Sequence, residues 1–224
     1  MKKLSFLAAI VLCLSLVTAN AHAVDLYAFG YSDFNSGNNL NINGTPYYNT
    51  DSGWFDNAGR HTAGNRNYID GQCDSCLPTS GPLFHNYFAF NLPTPTISPF
   101  TSATFNVYTY SVTLAETYYI YATSLNPAEV NSGNSYSGRT DIYNALVSGL
   151  LLGSINLTPT DANSFVTIAL NSAGIDWLNA HAGQGIVLGG GNDYSAPPAV
   201  PEPATMLLLG LGLIGLTGVR RFRK

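Results

Sequence analysis

The sequence predicts a mainly β protein, an antiparallel β-sandwich of jelly-roll-like type with two short helices. Three observations lead there. Charged residues make up only 10% of the chain while Tyr, Phe and Gly are abundant, a composition that favours strands over long helices. Several segments alternate apolar and polar residues at a period of two. Pro- and Gly-rich connections separate those segments, and no internal repeat points to a solenoid instead.

In chain order, residues 26 to 31, Leu-Tyr-Ala-Phe-Gly-Tyr, read as a first strand. Ser32 to Pro82 is rich in Asn, Gly, Asp and Ser and reads as a loop-dominated stretch. Loops of that length are uncommon unless they carry function or conceal small strands, and Tyr47-Tyr48 and Trp54-Phe55 are the residues expected to anchor this one. From Phe84 the alternation is clear. Phe84, Asn86, Phe88 and Phe90 face one way and His85, Tyr87 and Ala89 the other, until Pro93, Pro95 and Pro99 end the strand. Ala103, Phe105 and Val107 define the next strand, Tyr118, Ile120 and Ala122 another, and Val166, Ile168 and Leu170 a later one. Gly185 to Gly189 closes the set as a buried strand. Two helical patches interrupt the pattern, Asp141 to Ser148 and Ser172 to Ala182, the second stopped by Gly183.

Both ends read as trafficking segments. Lys2 and Lys3, an apolar run from Leu4 to Val17 and a small-x-small site at Ala21-His22-Ala23 form the layout of a secretory signal peptide over residues 1–23, whose cleavage leaves Val24 first. The β-sandwich domain then covers residues 24–195, and a Pro-rich linker with a Pro-Glu-Pro motif covers 196–203. Residues 204–219 hold no charge and read as a transmembrane helix, shorter than the roughly 20 residues that span a bilayer comfortably. Residues 220–224, Arg-Arg-Phe-Arg-Lys, form a basic end that the positive-inside rule holds in the cytoplasm.

The order Val200-Pro201-Glu202-Pro203, Gly-interrupted Leu-rich helix, then Arg220, Arg221, Arg223 and Lys224 resembles the PEP-CTERM sorting signal. The resemblance implies an exported protein of a Gram-negative bacterium. It implies recognition and cutting of the tail by an exosortase-type membrane peptidase, transient residence in the inner membrane, then delivery to the cell surface or an exopolysaccharide matrix. Two prolines flanking Glu202 keep the chain extended, as a peptidase cleft requires. The segments around Asn86 to Leu92, Ser102 to Phe105 and Asn171 to Gly174 also resemble, loosely, the sandwich body of other proteins bearing this tail.

Charge narrows the function classes. Between Val24 and Val200 stand three arginines, no lysine and twelve carboxylates, a formal charge of −9. Such a body repels phosphate backbones, which argues against nucleic-acid partners and leaves room for cations. No cofactor is expected, because Asn and Asp in such runs read first as turn formers; the alternative is calcium, with oxygens of Asp51, Asp56, Asp70, Asp74 or Asp193 meeting in space, although the Asp33 to Asn38 run fails as an EF-hand. No nucleophile elbow, zinc-protease motif or phosphate-cradling loop is present, so a non-catalytic body is expected, with no catalytic residues and no dedicated metal site.

Cys73-Asp74-Ser75-Cys76 holds both cysteines left after signal removal, and an oxidising compartment favours a disulfide there. Metal binding and redox chemistry are the alternatives, each short of ligands or of a helix N-terminus. Tyr47, Tyr48, Trp54 and Phe55 stand among polar residues, either as a sugar-stacking platform or as pins that hold the loop to the core. The platform gives the alternative function, a carbohydrate-binding or carbohydrate-processing module acting on exopolysaccharide.

Overall fold

Period-two alternation with both faces apolar requires cover on both faces of a strand, and that requirement organises this fold. The structure, a computed structural model, describes residues 25–29, 37–76, 82–94 and 99–192. These lie within one compact unit, Ala23–Tyr194. The segments read as signal peptide, linker, transmembrane helix and basic end fall outside the described residues. Among the described residues, no helix is long and apolar enough to cross a membrane.

The described chain is mainly β. Its strands are β1 (Leu26–Ala28), β2 (Asn39–Ile42), β3 (Thr45–Tyr48), β4 (Asp51–Asp56), β5 (Asp70–Gln72), β6 (Leu83–Asn91), β7 (Ala103–Thr109), β8 (Glu116–Ala122), β9 (Leu151–Leu157), β10 (Ser164–Ala169) and β11 (Gly185–Asn192). Two helices accompany them, α1 (Thr140–Ala145) and α2 (Ser172–Ala180). The larger sheet runs β1-β5-β6-β11-β8-β9, with β4 also paired to β6, and the smaller runs β10-β7-β2-β3. All these pairings are antiparallel, and the sheets curl into a half-barrel.

Strand β6 shows why the sheets meet. Phe88 and Phe90 join Ile120 of β8 and Leu188 of β11 in a core that also holds Leu40 of β2, Phe105 and Val107 of β7 and Ile168 of β10. The rings of Phe88 and Phe105 meet edge to face with centroids 4.8 Å apart, an arrangement aromatic pairs prefer. On the other face of β6, Tyr87 and Ala89 pack with Phe55, Val187, Val130, Ile142 and Leu146. Helix α1 and the segment before it cover that face. A Cβ at Gly189 would collide with the Leu146 carbonyl, so glycine there lets the chain leaving α1 lie directly on β11.

The stretch from Ser32 to Pro82 is where the structure departs most from a loop reading. It contributes β2, β3, β4 and β5. Ile42 and Thr45 pair across a two-residue turn, Asn43-Gly44, in which both residues have positive φ (51° and 86°), the left-handed pair that a tight hairpin of type I′ demands. The Asn43 side chain also accepts from the amides of Thr101 and Ser102 at 2.9 and 3.1 Å, fastening the turn to the start of β7. Strand β9 is a further element that alternation did not mark. Its ladder with β8 slips between Ile120 and Tyr121, and its Leu151 is exposed. Within the described residues the first strand stops at Ala28, because Phe29 turns to φ 66°.

The shared core yields a direct test. Phe105→Ala removes a wholly buried ring between the sheets, and such a truncation costs roughly 3–5 kcal/mol. Phe165→Ala on the exposed side of β10 is expected to change stability by less than about 0.5 kcal/mol. Urea unfolding midpoints of the two variants measure the contrast.

Candidate functional site

Cys73 and Cys76 are joined by a disulfide, with Cα atoms 5.3 Å apart. Cys73 is fully buried among Trp54, Ile69 and Phe84, so the link pins the chain leaving β5 into an apolar cluster. Ser75 donates from its amide and hydroxyl to the Asp25 carboxylate at 3.1 and 2.6 Å, tying this loop to the start of β1. Those bonds hold Asp25 below its ordinary carboxylate value, the Ser75 hydroxyl acting most strongly. Among the described residues, no group of three or more His, Cys, Asp or Glu side chains is placed to hold a metal. His61 lies between the carbonyls of Trp54 and Ser132, at 2.8 and 3.3 Å, and burial lowers its pKa. His85 stacks flat on Tyr143 and bonds its carbonyl.

Tyr47, Tyr48, Trp54 and Phe55, read either as a sugar-stacking platform or as pins for the loop, do not share one surface. Trp54 is 4% exposed and Phe55 fully buried, because the alternate faces of β4 enter two different apolar clusters. Trp54 meets Phe84 edge to face at 5.0 Å, while Phe55 lies against His61 and Tyr136. Tyr47 packs against the main core and Tyr48 is 57% exposed. Of the four residues, Tyr48 alone offers an open ring.

Register places Tyr48 on a different surface. On the smaller sheet Tyr48 pairs with Asn39, Asn39 with Asn106, Asn106 with Thr167, and Tyr108 with Phe165. Directly paired residues point to one face of a sheet, so the face turned away from the core carries these side chains in rows. Thr167 donates to Asn106 at 2.8 Å, and Asn106 donates to Asn39 at 3.0 Å. Phe165, 52% exposed, meets Tyr108 edge to face at 5.2 Å. The rows Thr104-Asn106-Tyr108, Asn39-Asn41, Pro46-Tyr48 and Phe165-Thr167-Ala169 hold no charged residue. Aromatic corners thus frame an amide and hydroxyl ladder. Alternation pointed to the β7 and β10 parts of this face, but the Asn43-Gly44 hairpin was needed to bring Tyr48 to it.

The carboxylates named as alternative calcium donors have other partners. Asp51 accepts from Arg66, from the Ser52 amide and from the amide and hydroxyl of Ser132. Asp56 accepts from Arg60 at 2.6 Å and from two backbone amides. Asp74 accepts from Gln72. Asp193 and Asp33 lie outside the described residues.

Asp70 stands apart from these. Its side chain is fully buried, and among the described residues neither carboxylate oxygen makes a hydrogen bond of regular geometry. Burial pushes its pKa well above the ordinary carboxylate range; the charge of Glu116 adds to this and the Gly71 amide opposes it. Glu116 is itself 7% exposed and accepts from Asn192 Nδ2 at 3.0 Å. Beside the pair, the Tyr118 hydroxyl donates to Asn86 Oδ1 at 2.7 Å, and Asn86 donates to the Tyr68 carbonyl at 2.9 Å. A polar nest therefore occupies one end of the interior.

Comparison with known proteins identifies the tail. Residues 199–224 match the PEP-CTERM protein-sorting motif, which is recognised by exosortase, a membrane protease, and implies export with transient membrane anchoring. No curated protein and no solved structure matches the chain.

The buried acid sets a pH dependence with a definite sign. Because the folded state holds the Asp70 proton more tightly than the unfolded chain, the stability Asp70 allows is full below the ordinary carboxylate value. It is lost as pH rises towards the raised folded value. In divalent-free buffer, Asp70→Asn is expected to flatten the loss of stability between about pH 4 and neutrality. Its gain over the parent is largest at neutral pH. Urea midpoints across that range, taken as the difference between parent and variant, read this out.

Proposed function

We propose that this protein is an exported, non-catalytic β-sandwich of jelly-roll-like type, displayed at the cell surface or in the extracellular matrix of a Gram-negative bacterium. The observation that supports it is the match of residues 199–224 to the PEP-CTERM sorting motif. The signal peptide of residues 1–23 directs translocation, and the short apolar span and arginine end hold the chain in the inner membrane. An exosortase-type peptidase reads the extended Pro-Glu-Pro segment and releases the body. The body then acts by what it touches.

A second reading, a carbohydrate-binding module acting on exopolysaccharide, is favoured by the outer face of the smaller sheet. Sugar rings stack on amphipathic aromatic faces while their hydroxyls exchange hydrogen bonds with amides and hydroxyls. Tyr48, Tyr108 and Phe165 supply the first, and Asn39, Asn106 and Thr167 the second. The absence of charge on these rows suits a neutral glycan. This face replaces the Trp54 and Phe55 platform as the place to look.

Sorting is tested by intact mass. Protein recovered from the producing strain is expected to lack Arg220 to Lys224, while Glu202→Ala keeps the tail and stays with the membrane fraction; parent protein with the basic end intact contradicts the proposal. Carbohydrate binding is tested by electrophoresis through a gel containing the producer's polysaccharide. Retardation of the parent, lost in Phe165→Ala and Tyr48→Ala but kept in Trp177→Ala, supports the sheet face. Unretarded parent protein removes the second reading.

A further inference from the structure

Burying an ionised carboxylate is costly unless it meets a cation, a set of hydrogen-bond donors or a proton. Among the described residues, the one donor that acts on Asp70 is the Gly71 amide, whose effect burial outweighs, and neither oxygen makes a hydrogen bond of regular geometry in its fully buried position. Among the described residues no basic side chain acts on it either. No lysine occurs between Val24 and Val200. Arg60 pairs with Asp56, Arg66 with Asp51 and Arg139 with Asp141, and none of the three is among the groups acting on the Asp70 charge. The charged neighbour Asp70 does have is Glu116, of like sign.

The backbone brings the two acids together through Asn192. Gly71, with φ 99°, follows Asp70 in β5, and a Cβ at that position would come within 2.7 Å of Asn192 Nδ2. That same nitrogen donates to Glu116 Oε2. The start of β5, the end of β11 and the start of β8 are thereby gathered round two carboxylates. The Tyr118 hydroxyl, within electrostatic reach of both, lies at the edge of the nest.

We propose that Asp70 and Glu116 hold a divalent cation, Ca2+, inside this end of the body. The donors are hard oxygens, and among the described residues no imidazole or thiolate joins them to make a group of three, which selects against zinc and softer metals. Magnesium demands near-ideal octahedral geometry and sheds water reluctantly, whereas calcium accepts mixed carboxylate, carbonyl and water oxygens in irregular arrangements. One doubly charged ion offsets both carboxylates. It also ties β5 to β8, which are not adjacent in the larger sheet. The site is separate from the outer face of the smaller sheet and from the tail, so it stands or falls independently of both.

The test uses the full exported chain. Thermal unfolding in chelator is compared with unfolding in increasing free Ca2+, and Tb3+ is titrated while exciting tyrosine. The expected results are a Tm that climbs with the logarithm of free Ca2+ and Tb3+ emission sensitised by tyrosine and quenched by added Ca2+. Asp70→Asn and Glu116→Gln are expected to lose both signals, while Asp176→Asn, at an exposed helical position, keeps them. A parent protein with neither signal, and with Asp70→Asn more stable than the parent in chelator, overturns the proposal in favour of a proton shared by the two acids. Signals that persist in folded Asp70→Asn overturn it too, by placing the ion elsewhere. Should the variants fail to fold, the parent titrations decide alone.

Discussion

The need to bury both faces of β6 is the constraint on which the rest of this structure depends. A strand with Phe88 and Phe90 on one side and Tyr87 and Ala89 on the other cannot lie at a solvent surface. Its first side is covered by the smaller sheet, through Phe105 and Leu40, and its second by Ile142 and Leu146 around α1. Each cover has its own requirement. The first needs a second sheet in register with the core, and the second needs a strand, β11, whose Gly189 lets backbone pack on backbone. The run of glycines at the end of β11, unusual inside a strand, thus serves close packing. Gly190 likewise sits where a Cβ would strike the Tyr118 hydroxyl.

How much of this was legible follows from which residues do the packing. Strands β6, β7, β8 and β10 bury one clean side or two, so apolar alternation marks them, and β11 reads as a continuous buried run. The helices also showed, with Asn171 as the N-cap that accepts from the Gly174 amide at 2.7 Å. Strands β2 to β5 did not show, because their inward positions include Ser52, Gly53 and Gly71 and their outward positions include Asn39, Asn41 and Pro46. Their pairing is held by ladder bonds and by polar side chains such as Asp51 and Asn43, which composition cannot tell from turn formers. The Asn43-Gly44 pair was nevertheless a readable hairpin signal. Weighing it would have produced β2 and β3, and with them the exposed sheet face.

The same logic separates the site residues that could be read from those that could not. A Cys-x-x-Cys loop is local, so its closure follows from spacing and compartment. Trp54 and Phe55 are adjacent in sequence and enter different clusters, so their local polar surroundings misrepresent their burial. Asp70 and Glu116 lie on strands distant in sequence. Their meeting is a product of sheet order and of the Asn192 contact, and nothing near either residue announces it. Strand alternation even marks Glu116 as an inward position, since it shares a face with Tyr118 and Ile120, but an inward acid gains meaning only when its neighbours are known.

The lack of lysine between Val24 and Val200 connects the interior with the route that the tail prescribes. Among the described residues, the three arginines are each engaged by a carboxylate near in sequence or in the adjoining loop, and none of them acts on the buried Asp70 charge. Neutralisation must then come from a proton or from an ion. Extracellular calcium modules bind in the range of about 10⁻⁴–10⁻³ M, and a site with only two carboxylates belongs at the weak end of the scale, because affinity rises with ligand charge. A site of that strength stays empty where free calcium is scarce and fills where it is plentiful. The body would therefore reach its most stable form only after translocation, which couples the address written in residues 199–224 to the packing of the interior.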